Sequence, residues 1–230
     1  MIRGVAVLLL LLGAGPALAA KDPLRACPEF PVPKKAKLQA VAPQMDYNGI
    51  PMSISRIESE DPPKDILAFY RKEWAATKTI RGPEEYPLGP WQVIASLRDE
   101  CFFTVQVKPF GKNGSEGFLG LTAPPSGKTV KEQLPMLPGS TVLNDIAHND
   151  AGKTARTVVL KNSFSPAANA DFYRRNLGDL GWRVTNHYRM EKPDQKGDVM
   201  VLKNGLRELS VTMTRAGNES NVLLNYVDQP

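Results

Sequence analysis

The two histidines and the two cysteines are the residues of this 230-residue chain best suited to catalysis, metal binding or redox chemistry. His148 lies in a polar stretch with Asn149 and Asp150, and His187 falls on the wet side of an alternating strand pattern. Neither has a second histidine or cysteine at the two- or four-residue spacing of a local metal site. The glycine pattern of a nucleophile elbow is also missing from the sequence. We therefore expect no catalytic residue and no metal ligand.

Two short stretches look like fragments of a phosphate-binding loop. In Ser126–Thr129, the motif needs a glycine five positions before Gly127, but Thr122 occupies that position. No helix with an apolar stripe follows, and Gly152–Thr154 fails in the same way. The sequence predicts no nucleotide and no other cofactor.

Acidic residues occur in two groups that could be read as catalytic carboxylates. Glu58, Glu60 and Asp61 precede a predicted helix, and Glu84 and Glu85 form a second group. A glycosidase pair must face each other across a cleft, an arrangement that a sequence does not reveal. Negative charge before a helix N-terminus is favourable in itself, so we interpret the first group as helix capping.

The N-terminus has the pattern of a secretory signal peptide over residues 1–20. Arg3 provides the positive region, Val5–Leu12 the apolar core and Ala17–Ala19 the small-x-small cleavage site. The apolar run is shorter than the roughly 20 residues of a transmembrane helix, although an uncleaved anchor is the alternative. Arg25 argues against lipid attachment at Cys27. The sequence thus predicts a periplasmic or secreted protein with no transmembrane span in the mature chain.

Export places the cysteine pair in an oxidising compartment. Cys27 and Cys101 are the only two cysteines, so a disulfide between them is the simplest expectation. Two unpaired buried thiols are the alternative.

The net charge of +5 is mild for a chain of this length. Its densest basic cluster, Lys34, Lys35 and Lys37, has no interleaved aromatic residue. Such a cluster is more typical of a solvated strand start than of a nucleic-acid site, so we expect no nucleic-acid partner.

The most informative feature is an internal duplication. Pro63 and Phe69–Arg71 recur with identical spacing as Pro166 and Phe172–Arg174. Both stretches read as amphipathic helices, with Asp61 and Ser165 as expected N-caps. Each is predicted to carry one apolar stripe, formed by Ile66, Tyr70 and Trp74 in the first helix and by Tyr173, Leu177 and Leu180 in the second. Alternating apolar residues after each helix predict antiparallel strands.

We therefore predict an α+β fold of two tandem homologous domains, 21–125 and 126–230. Each would run β-β-α-β-β-β, with one additional strand as the alternative, and one helix would pack on an antiparallel sheet.

Five large aromatic residues are placed where they could line a pocket between helix and sheet. Core packing is the competing interpretation and the default for such positions. These candidate pocket-lining residues are Tyr70, Trp74, Trp91, Tyr173 and Trp182.

The helix with Phe172–Arg174, followed by Gly181 and Trp182 and a meander, resembles uncharacterised tandem domains of exported bacterial proteins. The tandem layout is also similar to the paired helix-grip domains of outer-membrane assembly lipoproteins. Neither resemblance implies a catalytic residue.

We expect an exported, non-enzymatic binding or adaptor protein of the cell envelope with a protein partner. The alternative is a carrier that holds a small apolar ligand or lipid between helix and curved sheet.

Overall fold

The computed structural model describes residues 22–125, 134–150, 153–192 and 195–228. The predicted signal peptide and the Ser126–Thr129 stretch lie outside the described residues, as does Gly152. The described chain begins with a short 3₁₀ turn at Pro23–Ala26. It then forms β1 (Ala36–Tyr47), β2 (Ile50–Ser59), α1 (Pro63–Glu73), β3 (Glu84–Leu88), β4 (Trp91–Arg98), β5 (Cys101–Phe110), β6 (Gly114–Thr122), β7 (Thr141–Asp150), β8 (Lys153–Asn162), α2 (Pro166–Asp179), β9 (Arg183–Lys192), β10 (Gln195–Asn204), β11 (Arg207–Ala216) and β12 (Glu219–Asp228).

All of these strands belong to one antiparallel sheet. Their order is β3-β4-β5-β6-β2-β1-β7-β8-β12-β11-β10-β9. Read outward from the centre, the two halves of the sheet have the same strand order, which is first, second, sixth, fifth, fourth and third strand of each half. The first strands of the two halves, β1 and β7, therefore pair with each other at the centre of the sheet. Strands β3 and β9 form the two edges.

The predicted fold class is wrong. Instead of two α+β domains, the described chain is a single twelve-stranded sheet with two α-helices, 58% strand and 15% helix. Each helix is followed by four strands rather than three, because β3 and β10 add one strand to each half. The physical reason is the pairing of β1 with β7, which would otherwise both be exposed edges with unpaired backbone groups. The domain boundary at residue 125 stays a prediction.

The seam between the halves is short. Only three residue pairs join β1 to β7, from Met45 opposite His148 to Tyr47 opposite Ile146. Asn48, in the turn after β1, extends the seam with two further hydrogen bonds. Its backbone N–H donates to the carbonyl oxygen of Asp145, and its side-chain Oδ1 accepts from the N–H of Asp145, both at 2.8 Å.

Both helices lie on the same face of the sheet. Ile57 is buried with α1, and Pro51, six residues earlier on β2, shares its face. Pro51 lies opposite Asp46, and Asp46 lies opposite Ala147 across the seam. Ala147 in turn lies opposite Arg156, two residues before Val158, which is buried with α2. The other face, which we call the open face, carries neither helix.

The two helix starts differ from each other. Ser165 caps α2 as predicted, its Oγ accepting from the N–H of Ala168 at 3.1 Å. Asp61 does not cap α1, because the helix begins one residue later than expected and Pro62 takes the N-cap position. The carboxylate of Asp61 instead accepts a hydrogen bond from Lys35 at 2.9 Å.

Candidate functional site

Tyr70 and Trp74 lie together in the core beneath α1. Their rings are 4.8 Å apart, and both are buried against Phe30 and Phe103. The hydroxyl of Tyr70 donates to the carbonyl oxygen of Pro31 at 2.9 Å. Burial raises the pKa of Tyr70 well above its usual range. The aromatic cluster fills the space between helix and sheet.

Tyr173 and Trp182 lie in the second core, beneath α2. Burial raises the pKa of Tyr173 in the same way as that of Tyr70. However, the buried Tyr173 hydroxyl has no hydrogen-bond partner among the described residues. Trp182 packs with Tyr226 at 6.1 Å and beneath the guanidinium of Arg207.

Trp91 stands apart from the other predicted aromatics. It opens β4, with its ring 5.9 Å from Phe118 and 4.9 Å from the ammonium of Lys108. Phe118 precedes the core residue Leu119, so this contact lies on the open face. The structure therefore brings these five aromatics into three separate places. Their role as pocket-lining residues stays a prediction.

The predicted disulfide is confirmed. Cys27 is bonded to Cys101, which is buried at the start of β5. The bridge fastens the N-terminal segment to the core beneath α1, against which Cys27 packs.

One row of the open face contains no charged residue across eight neighbouring strands, from β2 to β9. Strand register places its members opposite one another: Ile50, Tyr47, Ile146, Thr157, Asn225, Ser210, Val201 and Asn186. At about 4.8 Å per strand this row is about 34 Å long. None of the eight side chains is buried.

A second uncharged row lies beside the first. It consists of Asn144, Val159, Leu223, Thr212, Val199 and Tyr188. Tyr188, on the edge strand β9, is 61% exposed. The hydroxyl of Tyr47 joins the rows by donating to Asn144 Oδ1 at 2.6 Å. We call the two rows together the uncharged band.

Outside the uncharged band, the open face of the first half carries paired charges. Glu116 accepts hydrogen bonds from Arg56 at 3.0 Å and pairs with Lys108 at 3.2 Å. The hydrogen bond from Arg56 is the main reason that the pKa of Glu116 is lowered. Ion pairs therefore lie on the open face outside the uncharged band, in the second half as well as the first, where Lys203 pairs with Glu208 and Lys161 with Glu219.

The two histidines occupy different faces. His148 lies on the open face, next to the uncharged band and opposite Met45. His187 lies on the helix-bearing face, where its Nε2 is 2.8 Å from Asp198 Oδ1. Arg189 donates to the same oxygen at 3.1 Å, and this bond raises the pKa of Arg189. The Nδ1 of His187 is 3.5 Å from the guanidinium of Arg174.

The contact between Arg174 and His187 has a counterpart in the first half. Arg71, at the matching position of α1, donates two hydrogen bonds to Glu85 on β3, at 2.7 and 2.9 Å. In both halves a helix arginine therefore contacts the edge strand. This repetition favours a structural role for His187.

Within the described residues, no group of three or more histidine, cysteine, aspartate or glutamate side chains could hold a metal ion. Neither described α-helix combines the length and apolar character needed to cross a bilayer.

Comparison of the chain with models of protein families, with curated proteins and with solved structures finds no significant match.

Reasoning from the sequence missed the uncharged band. The signal was present within single strands, since the wet-side positions in the middle of β8, β11 and β12 are uncharged. What no single strand reveals is the register that aligns these positions into continuous rows.

Proposed function

We propose that this protein is an exported, non-enzymatic binding protein of the cell envelope that holds a protein partner on the uncharged band. The observation that supports this proposal is the exposed band itself. The cores of protein interfaces are depleted of charged residues, whereas ordinary solvated surfaces are not. Ion-paired residues such as Arg56 and Glu116, outside the band on the same face, provide the internal comparison.

The geometry of the band suits a protein partner. A surface about 34 Å long can accommodate an interface of standard size, about 800 Å² on each partner. Tyr188 is an exposed aromatic residue of the kind that often anchors such interfaces. Threonine, serine and asparagine side chains along the rows supply hydrogen-bonding groups without the desolvation cost of full charges.

The Cys27–Cys101 disulfide supports export to an oxidising compartment, the periplasm or the outside of the cell. This placement agrees with the signal-peptide pattern at residues 1–20. The resemblance to tandem domains of exported bacterial proteins belongs to the same proposal.

The packing between helix and sheet favours this proposal over a carrier of an apolar ligand. Ile66 and Tyr70 of α1 are buried against the first core, and Tyr173 and Leu177 of α2 against the second. A carrier of the expected kind needs room for an apolar ligand beneath the buried stripe of each helix, and these side chains occupy that position.

Photo-crosslinking in the native envelope tests the proposal. A photoreactive phenylalanine analogue at Tyr188 is expected to yield a discrete crosslinked protein. The same analogue at Lys72, exposed on α1, is expected to yield none. Equal crosslinking from both positions would contradict the assignment of the band.

A charge-insertion pair then tests whether the identified partner uses the band. Thr212→Arg puts a cation into the second row and is expected to weaken copurification of that partner by about tenfold or more. Thr104→Arg, on the open face of β5 in the first half, is the matched control and is expected to leave it unchanged. If Thr104→Arg is as damaging as Thr212→Arg, the partner does not depend on the band.

A further inference from the structure

A hollow of about 530 Å³ opens on the helix-bearing face, between the start of α2, the end of β9 and the start of β10. Pockets that bind small molecules commonly have volumes of about 300–1,000 Å³. Ser165, Pro166 and Ala167 of the helix start form one wall. Alternating strand residues that face α2 form the other wall and the floor.

The floor of the hollow carries a buried carboxylate with one unused oxygen. Asp198 is only 2% exposed, and its Oδ1 takes the hydrogen bonds of both His187 and Arg189. Its Oδ2 accepts no hydrogen bond from any described residue. This oxygen is open to the hollow, so it can accept an N–H from a ligand there.

One cationic side chain and a helix N-terminus lie beside this oxygen. Lys196 lines the hollow and makes no ion pair within the described part of the chain. The first turn of α2 carries no acidic residue, whereas that of α1 contains Asp65. The N–H of Ala167 has no hydrogen-bond acceptor among the described groups. A carboxylate placed here would meet the positive end of the helix dipole and the ammonium of Lys196.

Glu191 and Arg189 complete the charge pattern. Strand register puts Arg189 opposite Asp198 and Glu191 opposite Lys196, so positive and negative groups alternate around the hollow. A purely anionic ligand would meet Asp198 and Glu191, and a purely cationic one would meet Arg189 and Lys196. A ligand that carries both charges complements both pairs.

We propose that this hollow binds a small zwitterion of the amino-acid or short-peptide class, its ammonium group at Asp198 Oδ2 and its carboxylate between Lys196 and the N-terminus of α2. The site is on the opposite face of the sheet from the uncharged band and does not depend on the proposed partner.

Isothermal titration of the disulfide-bonded protein with the dipeptide Ala-Ala tests the site. Saturable binding with a Kd of about 1 mM or tighter is expected. N-acetyl-Ala-Ala lacks the ammonium and Ala-Ala amide lacks the carboxylate, and each is expected to bind at least about tenfold more weakly. No saturable binding of Ala-Ala, or equal binding of all three compounds, overturns the proposal.

Variants locate the binding. Lys196→Gln removes an exposed cation without disturbing the contacts of Asp198, and it is expected to weaken Ala-Ala binding about tenfold. Lys203→Gln, farther along the same strand and paired with Glu208 at 3.2 Å, is the matched control. Unchanged binding in Lys196→Gln, or an equal loss in Lys203→Gln, places the dipeptide elsewhere and overturns the assignment.

Discussion

The side-chain amides of Asn162 and Asn169 hydrogen-bond to each other in both directions, at 2.8 and 3.0 Å. Asn162 ends β8, Asn169 lies near the start of α2, and both are buried. Asn162 also accepts from the N–H of Phe164 at 3.1 Å and donates to Ser140 at 3.1 Å. This amide pair thus ties the start of α2 to the sheet. At the matching positions the first half has Ser59 and Ile66, so only the second half uses this polar connection.

Replacement of Asn162 by Ala is expected to destabilise the protein by about 2–3 kcal/mol, because it leaves the amide oxygen of Asn169 buried without its donor. In a double-mutant cycle with Asn169→Ala, the two losses should fall short of additivity by about 1–2 kcal/mol. Equilibrium urea unfolding measures all four free energies. Strictly additive losses would show that the two amides do not depend on each other.

The two buried tyrosines should respond differently to loss of their hydroxyls. Tyr70→Phe removes the hydrogen bond to Pro31 and is expected to cost about 1 kcal/mol of unfolding free energy. Tyr173→Phe removes a buried hydroxyl that has no partner in the described structure, so it should be neutral or stabilising. Thermal unfolding of the two variants provides the comparison. A larger loss for Tyr173→Phe would mean that its hydroxyl is bonded in solution.

Two glycines on β6 provide a test of strand packing. A Cβ at Gly117 would lie 1.9 Å from the backbone oxygen of Gln106, so Gly117→Ala should cost about 3 kcal/mol or more. A Cβ at Gly120 would have its nearest neighbour, the Cβ of Thr104, at 3.8 Å, so Gly120→Ala should change stability by less than about 1 kcal/mol. For a chain of this size, each kcal/mol corresponds to a Tm change of about 2–4 °C. Similar Tm values for the two variants would refute the close approach at Gly117.

The disulfide is expected to be a major source of stability. Cys27 and Cys101 are 74 positions apart, and closing such a loop is worth up to about 4 kcal/mol in the unfolded-chain model. The Cys27→Ser and Cys101→Ser double variant should therefore melt roughly 10 °C below the oxidised protein. Reductant should lower the Tm of the wild type and leave that of the double variant unchanged. A wild-type Tm insensitive to full reduction would contradict this expectation.

Two substitutions of Asn48 should weaken the β1–β7 seam to different extents. Asn48 has a φ of 53°, which glycine adopts freely, so Asn48→Gly isolates the loss of the side-chain bond to Asp145 and should cost about 1 kcal/mol. Asn48→Ala also introduces backbone strain and should cost about 1 kcal/mol more. Hydrogen exchange at the amide of Asp145 reports the bond directly. Unchanged protection of that amide in Asn48→Gly would show that the side chain does not hold the seam.

Local features of the fold were predictable from the sequence. The predicted apolar stripe of α1 is confirmed, since Ile66, Tyr70 and Trp74 are all buried. In α2 the stripe holds at Tyr173 and Leu177 but fails at Leu180, which is 63% exposed because the helix ends at Asp179. Helical spacing identifies a buried face reliably only while the helix continues.

Long-range features were not predictable. Strand β3 contains a proline and is exposed throughout, so it shows no alternation by which to recognise it. The β1–β7 seam depends on pairing between residues about a hundred positions apart. The meeting of Asp198 with His187 and Arg189 likewise depends on the register of β9 with β10. Sequence periodicity specifies faces, and tertiary pairing decides which faces meet.

The three-pair seam has the form of an isologous contact, because matching strands of two similar halves lie antiparallel against each other. Two separate copies of one half could make the same contact, but association would cost them translational and rotational entropy. They would therefore pair only at a sufficiently high protein concentration. The covalent connection of the halves replaces that requirement with an effective concentration in the millimolar range. A short seam therefore suffices to keep one continuous sheet, and dilution cannot separate its halves.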